Sequence, residues 1–196
     1  MLALAAPLVA EDSAATKVVD RLNGVLLGVL KDGEALGYRG RFDRLAPAMA
    51  EAFDLDFMAE KALGRHWKPL AESDRTRWVA LFREFTTANY AGNFDRFSGQ
   101  RFELLGEEPS TGDTTLVRTR VVVPGSEDVD LTYRLRQVDG QERIVDVYLK
   151  GTVSELALRR SDYTSVLERS GFEALVTTMR ARIVDLAAGR AKGKGV

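Results

Sequence analysis

Few residues in this chain have the type and spacing to do chemistry. There is one histidine, His66 in GRHWKPL, and no cysteine in 196 residues. Thiol nucleophiles, disulfides and thiolate metal sites are therefore excluded, and a Ser-His-Asp arrangement would have to use His66. No serine stands in a G-x-S-x-G turn, and neither G-x-G-x-x-G nor a P-loop occurs. Aspartates and glutamates are scattered, the D-x-D-x-D-G pattern is absent, and Asp54 and Asp56 are merely neighbours at a helix start. No metal and no cofactor is expected. The carboxylate that stands out is Asp146 in IVDVYL, set between apolar residues, where desolvation could raise its pKa into the range of a general base. The same position suits a structural role, accepting hydrogen bonds from a turn or an arginine.

The strand that carries Asp146 poses a problem of its own. Under strict alternation Val145, Val147 and Leu149 fall on one face, and Ile144 and Tyr148 flank Asp146 on the other. Both faces are then partly apolar, more than one buried face needs.

Around it the period is two from Arg101 onward, and strands are expected at about 101–106, 114–123, 129–138 and 142–149. Asp139-Gly140 between alternating runs is a hairpin signal, because both central residues of such a turn need positive φ. The product is a four-stranded antiparallel meander. Val117 and Val121 share its apolar face with Leu131, Tyr133 and Leu135, while Arg118, Arg120, Arg134 and Arg136 make the other face largely basic.

Helices are expected before and after the sheet. Val18, Val19, Leu22, Val25, Leu26, Val29 and Leu30 recur at helical spacing over residues 16–30, and the run at 31–41 reads as a break. A short helix carrying Phe42, Leu45, Met49 and Phe53 follows, then one capped by Asp56. A longer helix is capped by Ser73 and carries Trp78, Leu81, Phe82 and Phe85. After the sheet, Thr152 and Glu155 have capping-box spacing for a helix through Leu167, and a last helix follows Ser170-Gly171. This order indicates an α+β fold, the twisted meander covered on one face by N- and C-terminal helices and enclosing an apolar pocket. Its expected lining is Phe82, Phe85, Val117, Val121, Leu131, Tyr133, Leu135, Val145, Val147 and Leu149.

The bulk numbers fit a single domain. Basic residues number 28 against 29 acidic, for a net charge of −1 and 45% hydrophobic content, with no stripe suited to nucleic acid. The opening MLALAAPLVAED resembles the end of a secretory signal without its basic start, and it is far shorter than the ~20 residues of a membrane span. Residues 1–15 are read as a leader remnant or disordered start, 16–188 as the domain, and 189–196 as a disordered basic tail.

The segment DVYLKGTVSELALRRSDYTSVLERSGFEALVTTMR resembles the C-terminal signature of the MlaC-type, or toluene-tolerance, family of periplasmic lipid-shuttling proteins. Asp146, Gly151, Ser154, Tyr163 and Gly171 are the matching positions, and Trp67, Phe85 and Tyr90 fit the family's tryptophan, helix and tyrosine pattern. Two residues rather than the usual one separate Gly151 from Ser154. Residues 21–59 and the GTVSELALRRSDY run look most like a branch associated with hopanoid biosynthesis.

The resemblance implies a monomeric periplasmic carrier that encloses lipid tails, phospholipid or hopanoid, and leaves the headgroup outside. It also implies partners in an inner-membrane ABC transporter complex and an outer-membrane complex. In that setting surplus apolar side chains line a pocket, and Asp146 fixes a strand-to-helix corner. The competing readings are an enzyme of the cone-shaped α+β class acting on a small apolar substrate through Asp146, and an interaction module that carries nothing.

Overall fold

The computed structural model describes residues 13–191. Most of the expected leader and tail, residues 1–12 and 192–196, lies outside these. Ser13 caps the first helix, α1 (Ala14–Lys31), by accepting from the Thr16 N–H at 3.0 Å. Residues 14 and 15 form its first two positions, and Ala15 is buried. The apolar stripe of α1 packs inward, with Val19, Leu26 and Val29 fully covered.

The expected break at 31–41 falls at Asp32, which separates α1 from the next helix, and at Gly37. Helix α2 runs Gly33–Ala52 and is interrupted at Gly37, where φ is 60°, so its second segment is the short helix expected to carry Phe42, Leu45 and Met49. Helix α3 (Leu55–Leu63) is capped by Asp54, which accepts from the Phe57 N–H at 3.1 Å, so the cap lies two residues before the expected Asp56. Helix α4 (Glu72–Asn93) has Ala71 at its N-cap and no side-chain cap, in place of the expected Ser73.

The sheet has five antiparallel strands in chain order, not four: β1 (Arg101–Ser110), β2 (Thr114–Val122), β3 (Val129–Val138), β4 (Gln141–Leu149) and β5 (Val153–Ser154). The additional strand is two residues long, pairing Ser154 with Tyr148 and Val153 with Leu149, too short to leave a periodic signal. Asp139 and Gly140 have φ of 50° and 76°, as the hairpin between β3 and β4 requires. Helix α5 (Glu155–Ala187) is capped by Ser154, which accepts from the Ala157 N–H at 2.9 Å, and not by Thr152. It is interrupted at Gly171, where φ is 78°, so it comprises the two helical segments expected from the sequence.

The helices lie on one face of the sheet, with α1 across β1, β2 and β4, and α4 against α5. The aromatic side of α4 closes the core. Trp78 is fully buried, donates its indole N–H to the Ala59 carbonyl at 2.9 Å, and meets the Tyr163 ring edge-on at 5.3 Å. Among the described residues no helix is long and apolar enough to cross a membrane.

Candidate functional site

The pairing of β3 with β4 decides which side chains face the helices. Tyr133 pairs with Val147 and Arg134 with Asp146, but Leu135 pairs with Ile144, so Val145 is an extra residue in a β-bulge. Ile144, Val147 and Leu149 therefore share the inner face. Val145 leaves the expected lining and stands with Asp146 and Tyr148 in a cleft on the other side. This corrects the strict alternation: Ile144 takes the inner position expected of Val145, and Val145 stands with Tyr148 on the outer side.

The remaining expected lining residues come together in one apolar cluster. Phe82, Val117, Leu131, Tyr133, Leu135 and Val147 are buried in it, and Phe85, Val121 and Leu149 pack against it. Val117, Tyr133 and Leu135 are wholly covered by other side chains, so much of this face is filled by the protein itself.

Open space begins at the rim of the cluster. A cleft of about 420 Å³ lies between α4, the end of β4 and the first half of α5, lined by residues that include Phe85, Asn89, Leu149, Leu158, Arg159 and Tyr163. Phe85, Leu149 and Tyr163 belong at once to the cleft and to the buried cluster. Of the cleft's lining, sequence periodicity singles out Phe85 and Leu149 but not Asn89, Leu158 or Arg159. The signal for Leu158 is that it is a large apolar residue on an exposed helical face, 49% accessible.

The charged lining of this cleft is Arg159 and Arg182 with Glu155 and Asp162. The Arg159 guanidinium sits 5.4 Å from the Phe85 ring centre and 6.0 Å from that of Phe82. Burial raises the Glu155 carboxyl above its ordinary value, with Arg159 opposing the shift and Asp146 adding to it. Burial likewise raises the phenols of Tyr90, Tyr133 and Tyr163. The Tyr90 hydroxyl is buried and has no hydrogen-bond partner among the described residues. Such a group costs about 1–3 kcal/mol.

Asp146 has both oxygens engaged. Oδ1 accepts from the Val147 N–H at 2.8 Å and the Leu156 N–H at 3.2 Å, and Oδ2 accepts from the Ser154 hydroxyl at 2.6 Å. The carboxylate thus ties β4 to the start of α5, with Gly151 at φ 71° in the connection. His66 is far from this corner in role: it lies 4.0 Å from Glu168, which also receives Arg65. Among the described residues no group of three or more His, Asp or Glu side chains is placed to hold a metal ion.

The family model described as MlaC protein matches residues 20–181. Among solved structures, the phospholipid-binding protein from Ralstonia solanacearum, determined in complex with a phospholipid, is similar to this chain. The TM-score is 0.77 at 20% sequence identity, over 89% of this chain and 99% of that one. At that identity the likeness establishes the fold.

Proposed function

This chain belongs to the MlaC protein family, and from that premise we propose that it is a periplasmic lipid carrier working through noncovalent enclosure rather than catalysis. Residues 16–188 form the carrier domain. The lipid tails lie between the inner face of the sheet and the helices, and lipid is passed between inner- and outer-membrane complexes. The observation that carries this reading is the cleft whose lining residues Phe85, Leu149 and Tyr163 continue into the buried cluster. A tail entering there replaces water with apolar side chains at ~0.8 kcal/mol per methylene, on the order of 10 kcal/mol for a full chain.

A cleft of about 420 Å³ falls within the range of small-molecule pockets, ~300–1,000 Å³. A whole diacyl lipid asks for more room, and the first half of α5 is the element that can yield. Glu155, Leu158, Arg159, Asp162 and Tyr163 line this cleft, and Leu156, Ala157 and Arg160 line the cleft on its other side. Outward displacement of this segment, bounded by Gly151 and Gly171, would widen both. Both glycines have positive φ.

The ligand class is proposed as phospholipid or hopanoid. The similar protein from Ralstonia solanacearum binds a phospholipid, and the resemblance of residues 21–59 to a hopanoid-associated branch supports the second. A rigid polycyclic lipid loses less conformational entropy on binding than an acyl chain, so it needs no gripped headgroup. Extraction of the purified protein and identification of bound lipid by mass spectrometry tests the carrier reading. Stoichiometric lipid is expected, and protein that never carries lipid would return the choice to an enzyme or an interaction module. Competition of a hopanoid against a labelled phospholipid tests the class, and no displacement at any soluble concentration would remove hopanoids.

A further inference from the structure

The basic outer face of the sheet is not used by an apolar carrier site, and it borders a cleft of about 560 Å³. This cleft lies between α3, the β1–β2 turn, the outer side of β3 and β4, and the first turn of α5. Its walls hold Lys61, Arg134, Arg136 and Arg160 against a single carboxylate, Asp146. That carboxylate already accepts two backbone N–H groups and the Ser154 hydroxyl, which offset its charge locally.

The cations are unequally matched. Arg136 pairs with Asp54 at 2.6 Å and Lys61 with Glu60 at 2.9 Å. Arg134 and Arg160 form no salt bridge among the described residues. The Nε atoms of both Arg134 and Arg136 are buried and donate to nothing, a costly condition for a charged group.

Both guanidinium groups are also held in place. Arg136 lies 3.9 Å from the centre of the Phe57 ring, and Arg134 lies 5.4 Å from that of Tyr148. Two residues apart on one strand, they leave the same face about 7 Å from each other. Arg136 spends one Nη donor on Asp54, but both Nε–H groups stay unpaired among the described residues, donors that suit an anion with several acceptor oxygens. Among the described residues Arg134 and Arg160 have no carboxylate of their own in a salt bridge, and the oxygens of Asp146 are already engaged.

We propose that this cleft binds a phosphate group, supplied either as the phosphodiester of a lipid headgroup or as free phosphate. As a headgroup site it rests on the carrier reading; as a phosphate site it stands without it. The test is titration of the full chain, washed free of bound lipid, with inorganic phosphate and separately with the soluble diester glycerophosphoglycerol. Backbone amide NMR follows Gly112, Tyr148, Ser154 and Ala157.

Saturable shifts at these amides are expected, weakened about tenfold in Arg134→Gln. Arg160→Gln, at an exposed position, gives the same direction without touching the sheet. Tighter binding of the diester identifies a headgroup source, and equal or tighter binding of inorganic phosphate identifies the free ion. Absence of saturable shifts with either anion, or shifts that persist unchanged in both variants, overturns the proposal. Lipid content before washing reports on the carrier reading separately: a protein that never held lipid yet binds phosphate keeps this site and loses that function.

Discussion

Replacing Asp146 separates its structural role from a catalytic one. In Asp146→Ala the Val147 and Leu156 N–H groups and the Ser154 hydroxyl lose their acceptor at a corner where Asp146 is 8% exposed. Hydrogen bonds to a charged group contribute ~1.5–3 kcal/mol each, so three set an upper bound near ~4.5–9 kcal/mol. Water entering the opened corner recovers part of this, and Ser154 still caps Ala157. The expected loss is about 3 kcal/mol.

For a chain of this size each kcal/mol moves Tm by ~2–4 °C, so the melting temperature falls by roughly 6–12 °C. In denaturant the midpoint falls at unchanged slope. Asp146→Asn keeps an acceptor for the two N–H groups and can donate to Ser154, so it should cost about 1 kcal/mol. Urea unfolding of both variants, with lipid content measured on each, is the assay. An alanine variant within about 0.5 kcal/mol of the parent would refute the corner argument. An asparagine variant that folds normally but loses turnover of an apolar substrate would make Asp146 a base after all.

Four further outcomes are expected. Leu135→Trp overfills a wholly buried site on the inner face, lowering stability by ~1–3 kcal/mol and reducing lipid loading; a folded variant with full loading would remove Leu135 from the lining. The Glu155 carboxyl is raised by burial above its ordinary value of 4.5, so the folded state binds more protons than the unfolded one. Stability therefore declines as pH rises from that value through the raised folded pKa. Glu155→Gln should lessen that decline and be no less stable at pH 7, which unfolding curves across pH will check. Gly171→Ala meets open space but must adopt φ 78°, for an expected ~1–3 kcal/mol loss in thermal unfolding; no change would mean that the junction rearranges freely. His66→Ala should leave lipid loading by mass spectrometry unaltered, because its neighbour Glu168 retains Arg65.

Period and composition were enough to identify an α+β chain with helices before and after an antiparallel sheet, because alternation and helical spacing are local properties of the residues. Asp139-Gly140 announced its hairpin for the same reason: the φ values it needs are intrinsic to those two residues. Helix starts were less legible. Asp54 and Ser154 occupy caps for which Asp56 and Thr152 are comparable residue types, and Ala71 stands at one for which Ser73 is the better type; residue type alone does not fix where the chain enters a helix.

The candidate site divides along the same line. The inner-face positions on β2 and β3 followed from alternation, whereas β4 did not, because one bulge at Val145 shifts every residue before it to the opposite face. Nothing within IVDV marks which residue is skipped. The neighbouring segment helps to place it, since Phe53 bridges to Ile144 and the Asp54 N–H donates to the Ile144 carbonyl at 2.9 Å. Likewise the cleft beside Phe85 and the cationic cleft beneath Arg134 each draw on elements more than forty residues apart in the chain. A hydrophobic pattern specifies which side of an element is buried; only the packed structure decides which elements meet there, and where their side chains leave room.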